Sequence, residues 1–188
     1  PHEATDICVI VVNWNRRDLL LACLRSLEQQ TVSGFAVILV DNGSTDGSVE
    51  AALGAFRDTS RFRMQVIRNN ENTGFCRANN QGIEAAGARY IALLNNDAEA
   101  APGWLEELRK AIEIAPDVGM AASKVLVWEN SRKIDKVGHL IYPDGQNRGR
   151  GSGQTDHGQF DRTEEVLWPD GCAAMYRRAM LEDIGGFD

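Results

Sequence analysis

Ile7-Cys8-Val9-Ile10-Val11-Val12 is an unbroken apolar run, and Asn13-Trp14-Asn15-Arg16 closes it. A strand with one wet face alternates polar with apolar. A run without a polar position suits a strand covered on both faces, as in the parallel sheets of α/β proteins. The form recurs in FAVILV (35–40) and YIALL (90–94), and residues 62–68 read as a further strand. Between them lie helical patterns. Residues 16–30 place Leu19, Leu20, Cys23, Leu24 and Leu27 at helical spacing, and Asp46-Gly47-Ser48 opens a helix reaching Phe56. Thr73-Gly74 leads into a helix over about 75–86, and Pro102 sits in the first turn of another ending near Ala115. Strand–helix units joined by short connections predict an α/β fold of three layers, a mostly parallel central sheet between helices.

After about residue 116 the rhythm changes. Residues 118–128 and 134–141 read as strands. Residues 142–165, with Gly149-Arg150-Gly151-Ser152-Gly153, read as a long mobile loop. Residues 166–176 read as a strand interrupted at Pro169-Asp170-Gly171, and 177–184 as a short helix stopped by Gly185-Gly186.

The chain has 188 residues, 43% hydrophobic and 25% charged, the balance of one soluble domain with a real core. A net charge of −7 excludes non-specific nucleic-acid binding, which needs a basic footprint. A ligand phosphate must therefore be held by local devices: helix N-termini, single arginines or a metal. Cys8, Cys23, Cys76 and Cys172 form no C-x-x-C pair, so zinc and redox spacings are missing. Cys8 and Cys23 fall in apolar patterns as small buried hydrophobes, which suits a reduced, cytoplasmic compartment. No apolar run approaches the roughly 18 residues of a membrane span.

Ligands of such sheets bind beyond the carboxyl ends of the strands. Four polar segments lie there: Asn13–Arg16, Asp41–Ser48, Arg68–Gly74 and Asn95–Glu99. Asp41 suits either a ribose or base contact or the cap of an Asx turn. Asn95-Asn96-Asp97 is delivered straight to the sheet edge by an apolar strand, and hard oxygen donors there suit Mg²⁺ or Mn²⁺. Asp97 is the candidate ligand, with Asn95 and Glu99 assisting. The competing reading makes Asp97 the cap of the helix opened by Pro102. Arg16, Arg68 and Arg77 are candidates for a diphosphate. Trp14 and Trp104 read as core, with base stacking the alternative, and His139 and His157 show no metal-ligand spacing.

Five ordered motifs carry a resemblance: VIVVNWNR, VILVDNGSTDGS, NNENTGFCRANNQGI, YIALLNNDAE and GCAAMYRRAMLEDIGGFD. Together they resemble glycosyltransferase family 2, in its rhamnosyltransferase-like branch, over nearly the whole chain. The resemblance implies a GT-A fold, a nucleotide-diphosphate sugar donor, inversion at the anomeric carbon and a saccharide or lipid-linked acceptor in cell-surface polysaccharide synthesis. It implies that Asn13 and Asp41 contact the nucleoside and that Gly74, Arg77 and Asn79 line the nucleotide pocket; Asn15 is a further cofactor-binding candidate. Asn95, Asn96 and Asp97 would occupy the family's D-x-D metal motif, with Asn95 replacing its first carboxylate. The family's base follows its G-G-F-D segment, so it is expected beyond Asp188, with Asp170 a weak substitute. The whole of 1–188 is then one domain, with 1–116 the nucleotide-binding half and 117–188 the start of an incomplete acceptor-side half. Lipid-linked acceptors would allow peripheral association with the inner membrane surface, although no segment argues for it. Two rivals are a non-catalytic sugar-nucleotide-binding domain and a nucleotidyltransferase. The latter wants a glycine-rich loop after strand one, and Asn13–Arg17 has no glycine.

Overall fold

Residues 6–188 are described by the computed structural model of the protein, and the four strands expected in the first half are present. β1 (Ile7–Asn13), β2 (Phe35–Asp41), β3 (Phe62–Arg68) and β4 (Tyr90–Leu94) pair in parallel, β1 lying between β2 and β4. α1 (Arg17–Glu28), α2 (Ser48–Phe56) and α3 (Phe75–Ala85) make the crossovers, and α4 (Trp104–Ile112) follows β4.

The apolar runs are continuous because both faces of the sheet are packed. Side chains alternate along a strand. Val9, Val11, Val37 and Leu39 meet Leu20, Leu24 and Leu27 of α1 and Leu105 and Leu108 of α4. Cys8, Ile10, Ile38 and Val40 meet Ala78 and Ile83 of α3 on the other face. A Cβ on Gly82 would stand 2.7 Å from Ile10 Cγ2, so this glycine lets α3 ride close on β1.

β5 (Met120–Ala122) and β10 (Ala173–Arg177) complete the sheet in the order β3-β2-β1-β4-β10-β5, and β10 runs antiparallel to both neighbours. The segment after residue 116 is thus built into the same sheet as the first half. Between β5 and β10 stand two antiparallel hairpins, β6 (Lys124–Val127) with β7 (Asn130–Val137) and β8 (His139–Ile141) with β9 (Asn147–Gly149). α5 (Arg178–Ile184) closes the chain and adds Leu181 to the α3-side core.

Four expectations need correction here. The stretch 118–128 is two strands in different sheets, β5 and β6. The stretch 134–141 breaks at Gly138, whose φ of 68° turns the chain from β7 into β8. The glycine-rich stretch 142–165 is folded back rather than loose. It contains β9, and it bonds to β7 through Ile134 N–H to Gln154 O (2.9 Å) and Gly153 N–H to Ile134 O (2.9 Å). Lys124 pairs with Asp156 (2.8 Å) and Asp161 (2.6 Å), and Phe160 covers Gly151. Its partners lie about twenty residues upstream, so no local periodicity announces them. Of 166–176, only the end from Ala173 onward is strand. Among the described residues no helix is long and apolar enough to cross a membrane.

Candidate functional site

The direction of winding reverses between β1 and β4, and a crevice at the carboxyl ends of strands is expected at such a switch point. Asn13 ends β1 there, fully buried. Its amide donates to Asp41 Oδ1 (3.3 Å) and Ser44 Oγ (3.1 Å), and its Oδ1 accepts from Asn96 Nδ2 (2.7 Å). One side chain thereby knots the ends of β1, β2 and β4. Asp41 is 4% exposed and also accepts from Ser44 N–H (3.0 Å), the Asx-turn contact of the capping alternative. A carboxylate has about four acceptor positions. Two are used here, so the cap and a ligand contact are compatible.

Asn15 adopts φ 51°, a left-handed conformation that asparagine tolerates better than most residues. Its Oδ1 accepts from Thr45 N–H (2.8 Å), and its own N–H donates to Ser44 Oγ (2.9 Å). The turn pushes Trp14 outward. It is 53% exposed at the mouth of the crevice and is not core, contrary to the sequence reading. Trp104 is core-packed as expected, with Nε1–H donating to Ser123 Oγ (2.8 Å).

Asn42 went unassigned in the sequence, yet it is the second hub. It is 2% exposed and all its amide positions are used. Oδ1 accepts from Asn69 Nδ2 (2.9 Å) and Thr73 Oγ1 (3.1 Å); Nδ2 donates to Asn72 Oδ1 (3.2 Å) and Gly74 O (3.3 Å). The loop from β3 to α3 is shaped around it and presents Gly74 at the start of α3. Beside that loop lies an open concavity of about 740 Å³ lined by Thr73, Gly74, Phe75, Arg77, Asn80 and Phe187 among others. Gly74 and Arg77 border this space. Asn79 does not: it is buried and its amide donates back to Phe75 O (2.9 Å) inside the helix, because it faces the sheet. Arg68 is drawn to Glu50 (2.9 Å), away from a diphosphate role, and Arg16 stands exposed before α1.

The Asn95–Asp97 segment turns out of β4. Asn95 N–H donates to Cys172 O (2.8 Å), and its carbonyl accepts from Ala98 N–H (3.1 Å) and Cys23 Sγ (3.5 Å). Asp97 is exposed, and α4 begins later with Gly103 as its cap, so Asp97 does not cap that helix. Asp170 sits next door on the turn entering β10. Its Oδ1 accepts from Cys172 N–H (2.8 Å), and its Oδ2 meets His139 Nε2 (3.0 Å) and Lys136 Nζ (3.2 Å). Burial pushes its pKa up, but the Cys172 amide, His139 and Lys136 outweigh it, and the carboxyl lies below its ordinary value. Burial also holds three thiols protonated. Cys172 is pushed up to about 11 and Cys8 to about 12, and Cys23, coupled by charge to Asp97 and Cys172 as well, goes up further.

Among the described residues no three His, Cys, Asp or Glu side chains cluster as a ready-made metal cage. Mg²⁺ and Mn²⁺ do not need one. They are commonly held by one or two carboxylates together with substrate phosphates and water. An exposed Asp97 flanked by asparagine oxygens fits that partial donor set.

Residues 8–185 match the family model described as glycosyl transferase family 2. The chain belongs to glycosyl transferase family 2. Curated relatives agree with the assignment: an uncharacterized glycosyltransferase YibD of Escherichia coli is 29% identical over 96% of this chain and 51% of the relative. The uncharacterized glycosyltransferase YwdF of Bacillus subtilis is 27% identical over 97% of this chain and 62% of the relative. The O-antigen biosynthesis protein RfbC of Myxococcus xanthus is 28% identical over 97% of this chain but only 14% of its own length. The family 2 chain thus spans less than two thirds of these relatives. Among solved structures, a mannosyltransferase PcManGT from Pyrobaculum calidifontis, in complex with GDP-Man and Mn²⁺, superposes with TM-score 0.71 at 20% identity over all of this chain and 51% of that one. TarS of S. aureus in complex with UDP-GlcNAc gives 0.69 at 19% identity, over 96% of this chain and 48% of that one. At that identity the likeness establishes the fold: GT-A-like α/β with a mostly parallel central sheet.

Proposed function

We propose that this family 2 domain binds a nucleotide-diphosphate sugar at the carboxyl edge of β1, β2 and β4 and transfers the sugar, with inversion, to a saccharide or lipid-linked acceptor in cell-surface polysaccharide synthesis. The observation that carries the reading is the Asn13 knot, which fixes Asp41, Ser44 and Asn96 around one buried amide at the switch point of the sheet. A preformed polar surface there has no need of such rigidity for the fold alone. The ligand complexes of the two solved neighbours, GDP-Man with Mn²⁺ in one and UDP-GlcNAc in the other, support a donor of this class.

In this reading Asp41 accepts from the nucleoside with its remaining lone pairs. Trp14 offers an exposed indole face for the base, since aromatic stacking on a nucleobase contributes about 1–3 kcal/mol. Gly74 and Arg77 border the path of the diphosphate, where the start of α3 favours negative charge. Asp97, assisted by Asn95, would hold Mg²⁺ or Mn²⁺ against the diphosphate, and that ion would neutralise charge developing on the leaving group. The acceptor hydroxyl needs a base with free lone pairs and a pKa suited to its task. Asp170 is already engaged by the Cys172 amide, His139 and Lys136, so the base we propose is another carboxylate. The rhamnosyltransferase-like character of the motifs makes dTDP a donor nucleotide to test beside UDP and GDP.

Calorimetric titration of UDP, dTDP and GDP, with Mn²⁺, Mg²⁺ or EDTA, tests this on wild type and Asp97→Ala. Metal-dependent binding of one nucleotide, lost in the variant, is the expected result. A folded chain that binds none of them would overturn the donor site.

A further inference from the structure

The cluster at Asp170 is unusual in what it joins. Lys136 belongs to β7, His139 to β8, Asp170 and Cys172 to the approach to β10, and Asn95 to the end of β4. One carboxylate bridges them: Oδ2 holds Lys136 and His139, Oδ1 holds the Cys172 amide, and the Cys172 carbonyl holds the Asn95 amide. His139 is itself pinned. Its Nδ1 meets Asn147 Oδ1 (3.0 Å), its ring stacks on Trp168 at 6.0 Å and 12°, and its N–H donates to Trp168 O (2.9 Å). The turn is clamped from the other side as well. Gly171 has no side chain, and a Cβ there would stand 3.0 Å from Phe75 Cζ at the start of α3. The turn therefore lies between the β3–α3 side of the crevice and the Asn95–Asp97 side, and the hairpins reach both through Asp170.

We infer that Asp170 is a positioning residue, which fixes the backbone of Asn95–Asp97 through the Cys172 turn and couples it to the two hairpins. This rests on the reading of Asn95–Asp97 as the donor-binding segment. The reasoning is geometric. Asn95 is the first residue past β4, and the described hydrogen bond of its N–H goes to Cys172. If the turn loosens, the segment carrying Asp97 loses its anchor at its root. Groups that orient a metal-binding residue from behind typically matter about 10–100-fold in metal affinity or activity. Asp170 does this with acceptor atoms, so an amide should replace part of it. Asparagine keeps an oxygen for the Cys172 N–H and gives up the charge facing Lys136.

The test compares Asp170→Ala, Asp170→Asn and Lys136→Met with wild type, in this chain. Two readouts are taken: amide hydrogen exchange at Asn95 without ligand, and the Kd of UDP, dTDP and GDP with Mn²⁺. In Asp170→Ala, Asn95 exchange should quicken about 5–30-fold, the range of one or two kilocalories of lost anchoring. Nucleotide Kd should rise about 10-fold or more. Asp170→Asn should recover most of both, and Lys136→Met, which spares the Cys172 contact, should shift both in the same direction by less. Unchanged Asn95 exchange in Asp170→Ala overturns the proposal, and so does an Asp170→Asn variant no better than alanine. If Asp170→Ala fails to fold, the Asn and Met variants still decide between these outcomes. If wild type binds no nucleotide, the donor reading fails while the exchange readout still judges the anchor.

Discussion

Replacing Asn42 by alanine should loosen the β3–α3 loop more than any other single truncation around the crevice. Four hydrogen bonds end on this amide, at 2.9, 3.1, 3.2 and 3.3 Å, and the side chain is buried. A typical hydrogen bond contributes about 0.5–1.5 kcal/mol net, and a buried partner left unmet costs more. Asn72 is exposed and can turn to water, so its share is small. The Asn69, Thr73 and Gly74 contacts remain, and at about 1 kcal/mol each the loss is ~2–3 kcal/mol, since Asn69 keeps its pairing with Gln81. For a chain of this size each kcal/mol moves Tm by about 2–4 °C, so the variant should melt ~5–10 °C lower. Urea unfolding followed by tryptophan fluorescence gives the free energy, and hydrogen exchange at Gly74, whose N–H donates to Asn72 Oδ1 (2.9 Å), locates the loosening. Asn42→Asp is the companion variant. It keeps both acceptor bonds but sets a carboxylate against the Gly74 carbonyl, so it should be no better than alanine at neutral pH and should improve when protonated. A loss below about 1 kcal/mol, with Gly74 exchange unchanged, would show that the loop holds its shape without Asn42.

Three further outcomes are expected. Asp97→Ala should leave stability within about 0.5 kcal/mol of wild type, since an exposed side chain away from the core is removed, while Mn²⁺-dependent nucleotide binding is lost; calorimetry and urea unfolding read the two separately. Gly43→Ala should destabilise by about 1–3 kcal/mol, because φ is 78° there and the new Cβ would meet the Glu71 backbone at 3.0 Å; equal Tm values would refute the close approach. The depressed pKa of Asp170 means its folded-state contacts stabilise fully above the ordinary carboxylate range, and that contribution is lost as pH falls through the folded value. Urea midpoints from about pH 5 downward should therefore fall more steeply for wild type than for Asp170→Asn, and parallel curves would remove the ion cluster from the account.

Three of the first four strands were legible because the sheet buries both their faces, so ICVIVV, FAVILV and YIALL run without a polar position, whereas β3 at the sheet edge carries Arg63, Gln65 and Arg68. Their polar endings then followed from topology, since parallel strands deliver successive carboxyl ends to one edge. Hence Asn13, Asp41 and Asn95–Asp97 stand out in the sequence as residues of that edge. The second half resisted for the opposite reason. Its strands are short, and they pair with partners far off in sequence. β10 is antiparallel in an otherwise parallel neighbourhood, and the glycine-rich stretch takes its order from β7. Within the site, the errors share one cause. Trp14 reads as core by composition, but the left-handed turn at Asn15 throws it outward. Asn79 reads as pocket lining by motif, but helical phase points it at the sheet. Asn42 and Asp170 escaped because a hub is defined by its partners, and theirs lie about 30 residues away in sequence. A motif records which side chains meet a ligand. It does not record which side chains hold those residues still, and here Asn42 ties together the β3–α3 loop while Asp170 ties the hairpins to the Cys172 turn.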